Sequence, residues 1–152
     1  MRMKRVLLLI TVLAMSTAVF AQIEKPVKWS YAAKKINSTE AVIFLRATIQ
    51  PGWHIYSQNV KDGGPIKTAF TFTPSKAYSL VGKTAEPVPV TKYEEAFKMD
   101  VSYFENTVTF QQKIKLKPGG LAAIKGQLEF MTCNDHKCLP PEDVDFEIPL
   151  GK

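Results

Sequence analysis

Apolar residues fall on alternate positions through most of this chain, and that period of two limits its fold more than any single motif does. Val27, Trp29, Tyr31 and Ala33 share one parity, as do Phe70 and Phe72, then Val108, Phe110, Ile114 and Leu116. The pattern returns at Ile124, Leu128 and Phe130, and again at Val144, Phe146, Ile148 and Leu150. Successive side chains of a strand point to opposite faces, so each run predicts a strand with one face buried. Ala41 to Ile49 is almost continuously apolar, as a strand in the middle of a sheet is. At least six strands follow. Gln50-Pro51-Gly52, Asp62-Gly63-Gly64-Pro65, Thr73-Pro74-Ser75, Lys117-Pro118-Gly119-Gly120 and Leu139-Pro140-Pro141 punctuate them with turn residues. No stretch sustains a helical period, and only Glu94 to Val101 is expected to hold a short helical turn. The fold class expected is all-β, an antiparallel sandwich.

Residues 1–21 are of another kind. Met1-Arg2-Met3-Lys4-Arg5 is basic, Val6 to Met15 is apolar, and Val19 and Ala21 place small residues three and one before a cut ahead of Gln22. This is the pattern of a cleaved secretory signal peptide. A transmembrane helix needs about 20 apolar residues, more than this run supplies, so no membrane insertion is expected. Cleavage removes three basic residues and no acid, lowering the formal charge of +6 to +3. The remaining lysines are dispersed, with Lys113, Lys115 and Lys117 on the solvated face of a strand, which argues against nucleic acid as a partner. Residues 22–152 are expected to form a single domain, monomeric and without a cofactor, large enough to build a core without disulfides.

The two cysteines of the chain, Cys133 and Cys138, have four residues between them. The intervening turn leaves a strand at Phe130 and is stopped by Pro140 and Pro141, so the thiols can meet at the Cα separation of about 4.4–6.8 Å that a disulfide usually spans. An exported protein meets oxidising surroundings, where such a pair closes. A structural staple is one reading. It stabilises little, because closing about six residues is worth roughly 2 kcal/mol against about 4.7 for a loop of 100. Exchange chemistry is the second reading, since a tight, turn-borne disulfide is open to reduction. A copper or zinc site using Cys133, His136 and Cys138 with His54 is the third, though the spacing matches no common zinc pattern. A binding module whose loops around Trp53, Tyr56 and Phe97 recognise a ligand is compatible with the staple. His136 and Lys137 favour a neighbouring thiolate, whereas Asp135 and Glu142 oppose it.

Three stretches taken in order, Pro51-Gly52-Trp53-His54-Ile55-Tyr56-Ser57, Tyr93-Glu94-Glu95-Ala96-Phe97-Lys98 and Phe130 to Pro141, resemble the periplasmic N-terminal domain of the thiol:disulfide interchange protein DsbD. The resemblance implies an immunoglobulin-like sandwich that works as a protein-disulfide reductase, carrying electrons between thioredoxin-like periplasmic proteins. It implies that Cys138 forms the intermolecular bond and that Cys133 resolves it. Glu94, Glu95 and Phe97 then belong to a cap loop, with Phe97 as the shielding ring, and His54 and Tyr56 lie beside the sulfurs. Two departures stand out. Members of the family place one more residue between the cysteines and a glycine in the cap, where this chain has Lys98-Met99 after Phe97. The chain also ends without the membrane helices and thioredoxin-like domain of the full-length reductase, so the expected electron donor is a separate membrane protein.

Overall fold

The computed structural model describes residues 24–119 and 123–150; the signal peptide lies outside the described residues. Eleven strands run in chain order: β1 (Val27–Lys35), β2 (Glu40–Ile49), β3 (Trp53–Tyr56), β4 (Ala69–Phe72), β5 (Tyr78–Ala85), β6 (Val90–Glu94), β7 (Met99–Glu105), β8 (Thr107–Leu116), β9 (Ala123–Phe130), β10 (Thr132–Asn134) and β11 (Glu142–Pro149). All pairings between them are antiparallel. They form three sheets, ordered β1-β2-β8-β5, β11-β9-β4 and β10-β3-β7-β6. The first sheet is one layer of a sandwich. The other two share the opposite layer.

The period-two runs are what hold the layers together. Ile43, Leu45 and Ala47 of β2 and Val108, Phe110 and Ile114 of β8 are buried in the core with Ile124, Leu128 and Phe130 of β9 and Phe146 and Ile148 of β11. Trp29 of β1 packs against Phe70, Phe110 and Phe130, and Phe110 meets Phe70 and Phe104, so aromatic rings bridge all three sheets. Lys113 and Lys115 point to solvent from β8, as their parity requires.

Gly126 sits where β9 is paired on both sides, opposite Phe146 of β11 and Phe72 of β4. A Cβ there would lie 2.4 Å from the Thr71 carbonyl oxygen and 2.5 Å from Phe146 Cζ, and the first of these is backbone that cannot swing away. Gly126→Ala is therefore expected to destabilise the domain by about 3 kcal/mol, the upper end of overpacking costs, read as a lower midpoint in urea with an unchanged slope.

The segment from Glu94 to Val101 contains no helical turn. It is a β-hairpin: Glu94 of β6 pairs with Met99 of β7, and residues 95–98 form the loop between them. The helix-favouring residues Glu95 and Ala96 are overruled by the cross-strand pairs on either side.

Candidate functional site

One face of the β10-β3-β7-β6 sheet carries the site. Ile55 of β3 and Phe104 of β7 face the main core. Residues of the opposite parity therefore face outward on those strands, and antiparallel pairing aligns them: Cys133 with His54, His54 with Glu105, Tyr56 with Tyr103, Lys92 with Val101, and Glu94 with Met99. Tyr56, Val101 and Cys133 form a second, smaller buried cluster on this face, with Val60, Phe97, Met99, Tyr103 and Met131 packed around it.

The cysteines reach that face because the chain changes partners at Met131. β9 pairs with β4 and β11, whereas β10, beginning one residue later, pairs with β3 at the edge of its sheet. The Thr132 hydroxyl donates to the His54 carbonyl at 3.0 Å and fixes this junction. Beyond Asn134 the chain turns back tightly. The Asn134 side-chain oxygen accepts from the His136 and Lys137 amides, each at 2.9 Å, an Asx turn that needs asparagine or aspartate at its start. The Asn134 amide donates to the Lys137 carbonyl, and the Leu139 amide donates to the Thr132 carbonyl. These two bonds flank Cys133 and Cys138, which thereby face each other as a non-hydrogen-bonded antiparallel pair.

A disulfide joins them. Their Cα atoms are 4.0 Å apart, closer than the separation expected from sequence, because this type of pair brings Cα atoms to within about 4.5 Å. Four intervening residues are what a two-residue hairpin turn requires to put the sulfurs opposite one another. The pair is asymmetric. Cys133 is only 2% exposed, whereas Cys138 is exposed.

The cap hairpin supplies Phe97, half-buried, which packs on the cluster that holds Cys133 and meets Tyr56 edge-on at a centroid distance of 6.5 Å. The Phe97 amide donates to the Glu94 carbonyl, and Lys98 takes a φ of 53°. That left-handed conformation favours glycine and costs a lysine roughly 1–2 kcal/mol. A cap without the family's glycine thus still places one residue in a glycine-like backbone conformation. Glu95 is exposed on the loop, and Glu94 is half-buried beneath it.

His54, Tyr56, Lys92, Glu94, Val101, Tyr103, Glu105 and Asp135 line a cavity of about 60 Å³. His54 Nε2 lies 3.2 Å from the Tyr56 hydroxyl. Burial lowers the His54 pKa from its ordinary value, against the opposing pull of Glu94, Glu105 and Asp135. Burial, with Glu94 second, pushes the Tyr56 phenol up to about 12, so it stays protonated. His136 is exposed on the turn, and the Lys137 ammonium is paired with Glu24 at 2.5 Å. The ammonium expected to favour a thiolate is thus turned toward another partner. Among the described residues, no group of three or more His, Cys, Asp and Glu side chains gathers as a metal site.

The sequence-predicted residues Cys133, Cys138, His54, Tyr56, Glu94 and Phe97 therefore meet in one place. Tyr103, Glu105, Lys92, Val60, Met99 and Val101 were not singled out; alternation along β7 is the one signal that points to four of them, Met99, Val101, Tyr103 and Glu105. A further unforeseen contact stiffens the site from behind. The Glu86 carboxylate accepts from the Ser57 hydroxyl, the Gln58 amide and the Asn59 side chain, tying the segment between β5 and β6 to the end of β3.

Fold and site together define a class: an all-β, immunoglobulin-like antiparallel sandwich with a half-shielded, turn-borne disulfide at one sheet edge. The chain belongs to the family described as Thiol:disulfide interchange protein DsbD, N-terminal, whose model matches residues 23–149. No match is found among curated proteins. Among solved structures it is similar to the N-terminal periplasmic domain of ScsB from Proteus mirabilis, at 20% identity and a TM-score of 0.61 over 83% of this chain and 47% of that one. The chain thus spans about half of that protein's length. It is also similar to the N-terminal domain of DsbD from Neisseria meningitidis in the reduced form, at 17% identity and a TM-score of 0.51, covering 75% of this chain and 85% of that one. A third similar structure is the complex between the DsbD N-terminal and PilB N-terminal domains of Neisseria meningitidis, at 15% identity and a TM-score of 0.56 over 83% and 87% of the two chains.

Proposed function

We propose that residues 22–152 are one exported, periplasmic domain that carries electrons between thioredoxin-like proteins through the Cys133–Cys138 dithiol and disulfide, supplied by a separate membrane protein. The observation that carries this reading is the asymmetry of the pair: an exposed Cys138 bonded to a buried Cys133. Only the exposed sulfur is open to an in-line approach by an outside thiolate.

In the delivering direction, the Cys138 thiolate attacks a partner's disulfide, and the partner's other sulfur leaves as a thiolate and takes up a proton. The Cys133 sulfur then attacks Cys138 Sγ, the bond from Cys138 to the partner breaks, and its electron pair leaves on the partner's sulfur. The partner ends as a dithiol and this domain as a disulfide. Running the same steps backward reloads it from a donor. Phe97 shields the pair, Glu94 and Glu95 hold the hairpin that presents it, and His54 and Tyr56 form the floor. An aromatic lid slows reaction with unselected disulfides, and a partner that displaces it gains access.

The experiment is a trap. A thioredoxin-like domain mixed with a variant lacking Cys133 is held covalently at Cys138, whereas a structural staple yields no such complex.

A further inference from the structure

We propose that His54, anchored by Tyr56, holds the proton of Cys133 during exchange: it accepts that proton when Cys133 attacks and returns it when Cys133 is released as a thiolate. This rests on the electron-carrier reading and extends it to a group that the resolving step requires. Cys133 is 2% exposed, so bulk water does not reach it readily, yet a thiol must lose its proton to attack a disulfide. An acceptor has to lie inside the site.

His54 is the titratable side chain opposite Cys133 across the β3–β10 pair, and directly opposed residues on one face have Cβ atoms about 4.5–5.5 Å apart. Its Nε2 lies 3.2 Å from the hydroxyl of Tyr56, which shares the buried cluster with Cys133. The charged and titratable groups around the ring are known from every strand packed against it. They are Tyr56 on β3, Cys133 on β10 with Asp135 in the turn beyond, Tyr103 and Glu105 on β7, and Lys92 and Glu94 on β6. Burial keeps the imidazole neutral and ready to accept at pH 7, while three carboxylates against one ammonium stabilise the imidazolium once it forms.

The Cys133 S–H bond breaks and its proton goes to His54. The sulfur electron pair forms the bond to Cys138 Sγ, the bond from Cys138 to the partner breaks, and its electrons leave on the partner's sulfur.

The test uses the reduced, intact domain with Ellman's reagent: the Cys138 thiolate attacks the reagent's disulfide, one 5-thio-2-nitrobenzoate leaves and the other stays on Cys138. Attack by Cys133 then releases this second coloured thiolate, and the rate of the second release is followed against pH. Wild-type protein is expected to show an inflection below the range in which a free thiol titrates. His54→Gln is expected to lose that inflection, to react about a hundredfold more slowly near pH 7, within the range general base catalysis supplies, and to converge with wild type at high pH, where Cys133 ionises unaided. Tyr56→Phe is expected to keep the inflection and shift it. An unaltered rate and pH profile in a folded His54→Gln overturns the proposal. Should that variant not fold, histidine NMR of wild-type protein decides: the His54 midpoint is expected to differ between dithiol and disulfide forms, and identical midpoints overturn it. A wild-type domain that releases no second thiolate at any pH overturns the electron-carrier reading itself.

Discussion

Replacing Cys133 with alanine is expected to convert the domain into a trap that captures a thioredoxin-like protein at Cys138 and does not let it go. Cys138 is exposed and keeps its access to the partner, so the first covalent step proceeds. The release step loses its nucleophile. In the native chain that nucleophile is held opposite Cys138 by the two backbone hydrogen bonds that flank the pair. Prepositioning of this kind corresponds to effective concentrations of about 10⁵ M or more in well-oriented systems. Release by external thiol at about 1 mM is therefore expected to be slower by on the order of 10⁸-fold, taking that same lower figure. The complex should appear on a non-reducing gel and vanish with dithiothreitol. The reciprocal variant, Cys138→Ala, leaves only a sulfur that is 2% exposed and is expected to form no complex. Equal trapping by both variants would mean that the burial asymmetry does not direct the chemistry.

The second large effect concerns the lid. Phe97→Ala is expected to speed reduction of the disulfide by glutathione about tenfold or more, equivalent to removing about 1.4 kcal/mol of loop-opening cost. The ring packs over the cluster containing Cys133 and against Tyr56, and alanine reaches neither. Reduction by a thioredoxin-like domain is expected to change far less, because a partner that fits displaces the lid whether or not the ring is present. Stopped-flow rates with the two reductants separate these cases. Equal acceleration by both, or by neither, would remove the shielding role. Some loss of stability accompanies the substitution, but the ring is only half-buried, so it stays below the 3–5 kcal/mol of a fully buried phenylalanine.

The strands that build the core were legible because their parity is unambiguous. β1 and β8 each carry four apolar residues of one parity and β9 and β11 each carry three, while β2 reads as an almost continuous apolar run, and the layers follow from that. The strands that build the site were harder to read. β3 and β10 are four and three residues long, too short for a period to register, and β6 carries Lys92 and Glu94 on the face that lines the cavity. Family motifs pointed to His54, Tyr56, Glu94 and Phe97. Glu105 and Tyr103 belong to no motif and enter the site only through the β3–β7 register, which depends on tertiary pairing. The expected helical turn at Glu94 failed for the same reason. Local propensity favours it, but pairing of β6 with β7 decides, and Lys98 adopts a left-handed conformation to close the loop. Glu86 is likewise invisible in sequence, since the groups that donate to its carboxylate lie 27 to 29 residues away.

The Cys133–Cys138 bond of an electron carrier is made and broken in use. Its most direct measure is the reduction potential, obtained by equilibrating the purified domain with glutathione buffers and trapping the free thiols. A value between about −180 and −270 mV, the span of known exchange proteins, is the result expected of an electron carrier. A value below about −300 mV is characteristic of structural disulfides and would contradict that role.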